Sequence, residues 1–396
     1  MSDRKRVLCA AGWWPKGDQV AGIFIREHVR AIALYNDVEV IHVEVRRSKL
    51  ALPRMEVDSY LDHGLPVHWV VIHTPLRRFG AYEFLVRRAY TRLLDRLGAT
   101  RAFDLFHIHV RTIETEQLLR LDQWSKVPVL LTEHNSYYHL GIRRLPPDQE
   151  VLERRRIRQW LADPRIIKIT PVSQDLSRVL NIDFGVEEAR LEVIPNVAHE
   201  AFKPKPKPPT FPFRILLAAV WRPPKDPEVF IKAMALLPPE LTERCIVQWV
   251  GYGPDHERIR QQWQREVPHI AAEFSGMLGK EDLAGAMQKA HLFILPTLAD
   301  NQPCVILESH CTGTPVISMK VNGVPEMIDD ENGILVPPSD PQALAKAITD
   351  IMLAKKQFHN EHIAWEAIQR YSIPKVGERF DKMYDELLRR RIGVGA

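Results

Sequence analysis

Residues 202–212 read F-K-P-K-P-K-P-P-T-F-P. Each of the five prolines lacks a backbone N–H, so this segment can be neither a helix interior nor a central strand. It reads as a stiff linker over 203–212 joining two domains, the alternative being a surface loop inside one domain. The same alternation of patterns lies on either side of it. Before it, β-rich apolar runs at 6–10, 38–45, 67–73, 105–110, 127–132 and 166–172 are interleaved with helical periodicities at 22–35, 83–97 and 174–180. After it, strand patterns at 214–220, 245–250, 271–274, 291–296, 315–319 and 333–336 alternate with helices. Such alternation implies parallel sheets covered on both faces. The expected architecture is α/β, with two Rossmann-like, doubly wound parallel-sheet domains over 1–202 and 213–375. A last helix over 376–396 is expected to pack back on the first domain. Open sheets of this kind take ligands at the carboxyl ends of their strands, so two of them facing each other make an interdomain cleft.

Composition removes several classes of function. Hydrophobic residues are 45% and charged residues 26% of the 396, a soluble profile with ample material for a core. No apolar run approaches the ~20 residues of a membrane span, and the basic start lacks the long apolar stretch of a secretory signal. None of the four cysteines forms a C-x-x-C pair, so a disulfide framework and a zinc cluster are not expected, and a reducing cytoplasm is. A net charge of +4 is too balanced to call for nucleic acid. The excess is uneven: residues 1–200 hold 30 Lys/Arg against 26 Asp/Glu, and residues 201–396 hold 24 of each.

The most informative stretch is 295–318, L-P-T-L-A-D-N-Q-P-C-V-I-L-E-S-H-C-T-G-T-P-V-I-S. A buried strand is followed by a polar loop and a helix, with Asn301 as N-cap, Pro303 in the first turn and Gly313 after the end. The N–H groups around Gln302–Ile306, those of Gln302, Cys304 and Val305 among them, then offer an anion site at the strand's carboxyl edge. Asp300 and Glu308 can face the same mouth and accept hydrogen bonds from sugar and ribose hydroxyls. An ordinary capped helix is the alternative. Four further strand ends carry glycine or charge. Arg222 and Lys225 lie in W-R-P-P-K-D, as diphosphate ligands or solvated loop cations. Gly253 lies in G-Y-G-P, Met277 follows F-S-G, and Gly323 and Glu326 lie in V-N-G-V-P-E. Gly323 is expected to permit close backbone approach to a ligand.

The order W-R-P-P-K, G-Y-G-P, F-S-G, D-x7-E with T-G-T-P-V, and N-G-V-P-E resembles glycosyltransferase family 4, the retaining GT-B family, over nearly the whole chain. I-P-N at 194–196 is similar to the family's I-P-N-G-V-D signature, with Val197 and His199 replacing Gly and Asp. The resemblance implies that Arg222 and Lys225 bind the donor diphosphate, that Asp300 (a Glu in the family) contacts the donor sugar, and that Glu308 contacts the ribose. The donor set then includes Gly253, Met277, Asn301, Gln302, Pro303, Cys304, Val305, Gly323 and Glu326. No metal and no cofactor is required; the co-substrate is a nucleotide-diphosphate sugar, a UDP-sugar by preference or a GDP-sugar.

In the first half, the loop 12–22 (G-W-W-P-K-G-D-Q-V-A-G) joins the first strand to a helix and, by the resemblance, lines the cleft with Gly12, Trp13, Trp14 and Gly22. Trp13 and Trp14 are candidates for exposed stacking on a sugar or lipid, or for packing on the cleft wall. His134 in L-T-E-H matches the histidine that the family places near the anomeric carbon, and His109 is a second candidate, for acceptor binding. Ser173 is either a polar contact on the acceptor side or a helix N-cap. Residues 77–101 hold Arg77, Arg78, Arg87, Arg88, Arg92, Arg96 and Arg101 against Glu83 and Asp95, with Phe84, Leu85, Tyr90, Leu93 and Leu94 as an apolar face. Such a helix can lie on an anionic membrane, or it can be the solvated side of a packed helix. The function expected is retaining sugar transfer to a glycan or lipid-linked acceptor in surface polysaccharide or glycolipid assembly. A GT-B sugar-nucleotide epimerase and a non-catalytic sugar-nucleotide-binding subunit are the alternatives.

Overall fold

The computed structural model describes residues 4–16, 21–48, 52–75, 81–97, 103–139 and 141–393, with side chains to 389. Two compact units divide the chain: Met1–Asn196 with Ile373–Ala396, and Val197–Ser372.

The first unit is built on seven strands: β1 (Arg6–Ala11), β2 (Asp37–Arg47), β3 (Arg54–Asp62), β4 (Leu65–Thr74), β5 (Leu105–His109), β6 (Val129–Glu133) and β7 (Ile166–Pro171). Their order is β3-β4-β2-β1-β5-β6-β7. All neighbours are parallel except β3 and β4, an antiparallel hairpin turning at His63 and Gly64, both at positive φ. The continuous burial of β1, β5 and β6 is what a parallel sheet covered on both faces requires. β3 is absent from the sequence reading because it is mostly exposed on both sides and shows no core-seeking run. Helix Pro147–Leu161 was also not anticipated; only Ile157, Trp160 and Leu161 of its 15 residues are buried.

The second unit holds β8 (Phe213–Val220), β9 (Cys245–Tyr252), β10 (Ala271–Phe274), β11 (Leu292–Leu295), β12 (Val316–Met319) and β13 (Gly333–Val336), all parallel, in the order β10-β9-β8-β11-β12-β13. One face of this sheet packs around Trp221, Trp249, Phe230 and Trp263, the other around Phe293, Leu307 and Tyr371. In each unit the strand order reverses once, between β1 and β5 and between β8 and β11. The crevice at such a switch point is where an open α/β sheet takes ligand.

The unit divide falls at 196/197, ahead of the proline-rich segment, where the sequence reading placed a linker over 203–212. That segment lies along the second unit. Phe202 is buried, Gln288 Nε2 donates to the Lys203 carbonyl at 2.9 Å, and Lys207 Nζ donates to the Met287 carbonyl and to Thr314 Oγ1. Helix Ile373–Gly393 belongs to the first unit. It approaches helix Ile23–Ala33 closely at Gly377, where a Cβ would stand 2.3 Å from the Ala31 carbonyl oxygen.

Candidate functional site

In the second unit the loops after β8 and β11 are joined backbone to backbone. Asp226 N–H donates to the Pro296 carbonyl at 3.1 Å and Leu298 N–H to the Pro224 carbonyl at 2.9 Å. Trp221 anchors the first loop, fully buried, with Nε1 donating to the Val250 carbonyl at 3.0 Å. This places the Lys225 ammonium 2.7 Å from Asp300 Oδ2 and 3.3 Å from Thr297 Oγ1. Gly323 N–H, from the loop after β12, donates to the Asp300 carbonyl at 3.2 Å. Three strand ends thus converge on the Lys225–Asp300 pair.

Helix Cys304–Cys311 starts beside this pair. Its N-cap is Pro303, not Asn301, and no side chain caps it. Asn301 and Gln302 are instead buried in the approach, 3% and 5% exposed. The positive end of the helix dipole falls at half-buried Cys304 and Val305, a place suited to an anion. Glu308, one turn in and 2% exposed, is ion-paired with Lys280. Lys280 is the first residue of helix Lys280–Lys289, and its ammonium also lies over the Phe202 ring, 5.3 Å from the centroid. Sequence reasoning missed Lys280. The available signal was a cation placed at a helix N-terminus against the dipole.

Gly253 earns its place by conformation: its φ is 139°, and a Cβ there would stand 2.4 Å from the Trp221 carbonyl oxygen. Gly323 has an ordinary φ of −83°, and the left-handed residue of that turn is Asn322, at 42°. Arg222 and Met277 are exposed, and Glu326 is half-buried in the turn Val324–Glu326.

In the first unit, Gly12 N–H donates to the His109 carbonyl at 2.8 Å, tying the loop after β1 to the end of β5. Gly22, at φ 85°, passes so close to Trp13 and Trp14 that a Cβ would meet their backbones at 2.8 Å. Trp14 is buried at 2% exposure, which removes it as an exposed stacking residue; its size is used in packing the loop. Trp13 is half-buried, edge-on to Phe24 at 6.0 Å. Gly12, Trp13, Trp14, His42 and Trp69 line a cavity of about 300 Å³. The remaining part of the expected 12–22 loop, 17–20, lies outside the described residues.

His134 follows β6 directly, with Nδ1 2.9 Å from Asn196 Oδ1 and its ring against Phe24 at 4.7 Å. His109 is fully buried, stacked on His107 at 4.0 Å. Burial holds both imidazoles neutral far below the usual histidine range. Glu133, which the sequence did not single out, is fully buried; burial raises its carboxyl, while Oε1 accepts from Arg111 N–H at 2.8 Å and Tyr138 O–H at 2.9 Å. Ser173 is 1% exposed and its Oγ accepts from Leu176 N–H at 3.1 Å, so it is the helix N-cap.

Helix Ala81–Leu97 corrects the picture of a free amphipathic face. Tyr90, Leu93 and Leu94 are buried in the unit's own core and Leu85 packs on it, while Phe84 stands 53% exposed. Arg88, Arg92 and Arg96 are exposed, and Arg87 donates to Gln117 Oε1 at 2.8 Å. Arg77, Arg78 and Arg101 lie outside the described residues. Among the described residues, no helix is long and apolar enough to cross a membrane.

A switch-point crevice lined by a lysine–aspartate pair, a helix start and a buried glutamate is a place where an open α/β sheet takes a ligand. Residues 21–200 match the model described as Glycosyltransferase Family 4, and residues 212–353 the one described as Glycosyl transferases group 1. The chain belongs to glycosyltransferase family 4, a family of sugar-transferring enzymes. A D-inositol 3-phosphate glycosyltransferase of Saccharomonospora viridis is 27% identical over 277 residues, covering 63% of this chain and 62% of that protein. Its counterpart from Streptomyces griseus is 28% identical over 204 residues, covering 48% of this chain and 42% of that protein. The chain thus matches less than two thirds of the length of these curated relatives. Among solved structures, sucrose-phosphate synthase from Thermosynechococcus elongatus superposes with a TM-score of 0.74 at 19% identity, covering 98% of this chain and 100% of that one. HepE of Anabaena, solved with UDP, gives 0.71 at 16% identity, covering 96% and 100%. Both share the two-domain GT-B fold.

Proposed function

We propose that this protein transfers a sugar from a nucleotide-diphosphate donor, a UDP-sugar by preference, to an acceptor hydroxyl with retention of anomeric configuration. The observation that carries this reading is Lys225 on Asp300 beside the uncapped start of helix Cys304–Cys311. Departure of the diphosphate is the demanding step, and the developing charge needs preorganised cations and dipoles. On donor binding, Lys225 turns its ammonium to the diphosphate and frees Asp300 to accept from the sugar hydroxyls. The helix amides face the phosphates. Glu308, oriented by Lys280, accepts from the ribose. Attack on the face the diphosphate leaves accounts for retention.

The UDP complex of HepE supports the choice of nucleotide. The inositol phosphate of the named relatives supports a polyol or polyol-phosphate acceptor, and a glycan or lipid-linked acceptor in polysaccharide or glycolipid assembly belongs to the same reading. Incubation with UDP- and GDP-sugars should give hydrolysis or transfer, with the product's anomeric configuration read by NMR. Lys225→Ala and Glu308→Ala should each lower turnover at least about 100-fold. Near wild-type rates in both would remove the assignment.

The second element is a membrane contact. Phe84, Arg87, Arg88, Arg92 and Arg120 line one cavity on the first unit's surface. Anionic headgroups meet such arginines favourably, at about 1 kcal/mol per charge near the surface. Wild-type protein should sediment with phosphatidylserine vesicles, and glutamate at positions 87, 88 and 92 should abolish this. Absence of binding in the wild type, or equal binding in the variant, rules the contact out.

A further inference from the structure

His28, His109 and His134 come from three distant points of the first unit: helix Ile23–Ala33, the end of β5 and the turn after β6. A ring nitrogen from each lies within 4.8 Å of the other two. Their rings touch, His28 to His134 at 4.8 Å and His28 to His109 at 5.8 Å. Two of the three are oriented from outside. His28 Nε2 is 3.0 Å from the Pro195 carbonyl, an acceptor, so Nε2 carries the proton and Nδ1 presents its lone pair. Asn196 Oδ1 fixes Nδ1 of His134 as the donor in the same way, turning Nε2 inward. An N–H held by a carbonyl or amide oxygen is the outer-shell support that metal-bound imidazoles use.

His109 supplies an independent sign. It is fully buried, yet neither ring nitrogen has a hydrogen-bond partner. A buried polar group left unsatisfied is costly, so such groups call for a reason. Burial also keeps all three imidazoles uncharged at neutral pH, the form that binds metals. A neighbouring trio, Cys9, His107 and His109, is less suitable. His107 has both nitrogens engaged, with Tyr384 Oη at 2.7 Å and Thr132 Oγ1 at 2.6 Å.

We propose that His28, His109 and His134 form a binding site for one divalent transition-metal ion of the zinc class, three imidazole ligands with the fourth position open. Imidazoles without a carboxylate disfavour magnesium and calcium and select zinc, cobalt or nickel. The bound ion clips helix Ile23–Ala33 to the carboxyl ends of β5 and β6. His134 is half-buried and marks the entry side.

The full chain, freed of metal, is titrated with Co2+ and then with Zn2+. One equivalent of Co2+ should give the strong visible absorption of a tetrahedral centre, which Zn2+ bleaches. His28→Gln and His109→Gln, each shown folded by circular dichroism, should lose this spectrum and weaken Zn2+ binding at least about tenfold. X-ray absorption of the zinc-loaded wild type, which needs no variant, should count three imidazoles. No bound equivalent, a spectrum unchanged in both variants, or fewer than three imidazoles would overturn the site.

Discussion

His310 sits in helix Cys304–Cys311 at 2% exposure, two positions after Glu308. Burial pushes its imidazole down to about 4 from an unfolded value of 6.5, against smaller opposing effects from Asp329 and the Asn332 backbone. The folded state therefore binds its proton less readily than the unfolded state does. The stability it contributes is present above pH 6.5 and is lost as pH falls from 6.5 toward 4, by up to about 1.4 kcal/mol per pH unit. Urea unfolding at pH 7, 6 and 5 should show this loss in the second unit, with a shallower pH slope in His310→Gln. Equal slopes in the two proteins would show that the histidine titrates alike in both states. Legibility at this scale depended on distance along the chain. Arg222, Lys225 and Asp300 each follow a strand pattern within a few residues, and Glu308 lies one turn into the helix that comes next, so their place at a carboxyl edge could be read. The Lys280–Glu308 pair spans 28 positions and the three histidines span more than 100, so no local spacing announces either.

At the level of elements, the ion pair between Lys280 and Glu308 ties two helices that open toward the same crevice. Glu308 is almost wholly removed from water and Lys280 is 22% exposed. Taking away the lysine leaves a buried carboxylate uncompensated, at a cost of about 3 kcal/mol. Lys280→Met should lower stability by that amount in a denaturant titration. The double variant Lys280→Met with Glu308→Gln should recover most of it, because the stranded charge is then gone. Additive losses in the double variant would mean that the two side chains do not couple. Elements were legible where burial was one-sided or complete. The buried runs of β1, β5, β8 and β11 announce themselves, whereas β3 and helix Pro147–Leu161 bury too little to show a period. The cap of helix Cys304–Cys311 misled in a different way. Asn301 has the chemistry of an N-cap, but the helix begins three residues later, at Cys304, with Pro303 in the cap position.

For the whole molecule, the order of the units along the chain sets what can fold alone. The second unit, Val197–Ser372, is continuous in sequence and has its own six-stranded sheet with a core on both faces. The first is interrupted and takes its last helix from Ile373–Gly393. That helix buries Val376, Phe380, Met383 and Tyr384 to 3% exposure or less. It also places Tyr384 Oη 2.7 Å from His107 and pairs Asp381 and Asp385 with Lys5 at 2.8 and 2.7 Å. At ~2 kcal/mol for each large buried side chain, the four together contribute roughly 8 kcal/mol. Net stabilities of domains are only about 5–15 kcal/mol, so the first unit without this helix has little or none left. A chain ending at Ser372 should therefore keep a folded second unit and lose the first. Limited proteolysis should digest residues before about 197 and leave a resistant core over 197–372, identified by mass spectrometry. The same segment expressed alone should melt cooperatively and, on the proposed reading, bind UDP. A truncated chain in which residues 1–196 resist protease as they do in the full protein would show that the helix is dispensable.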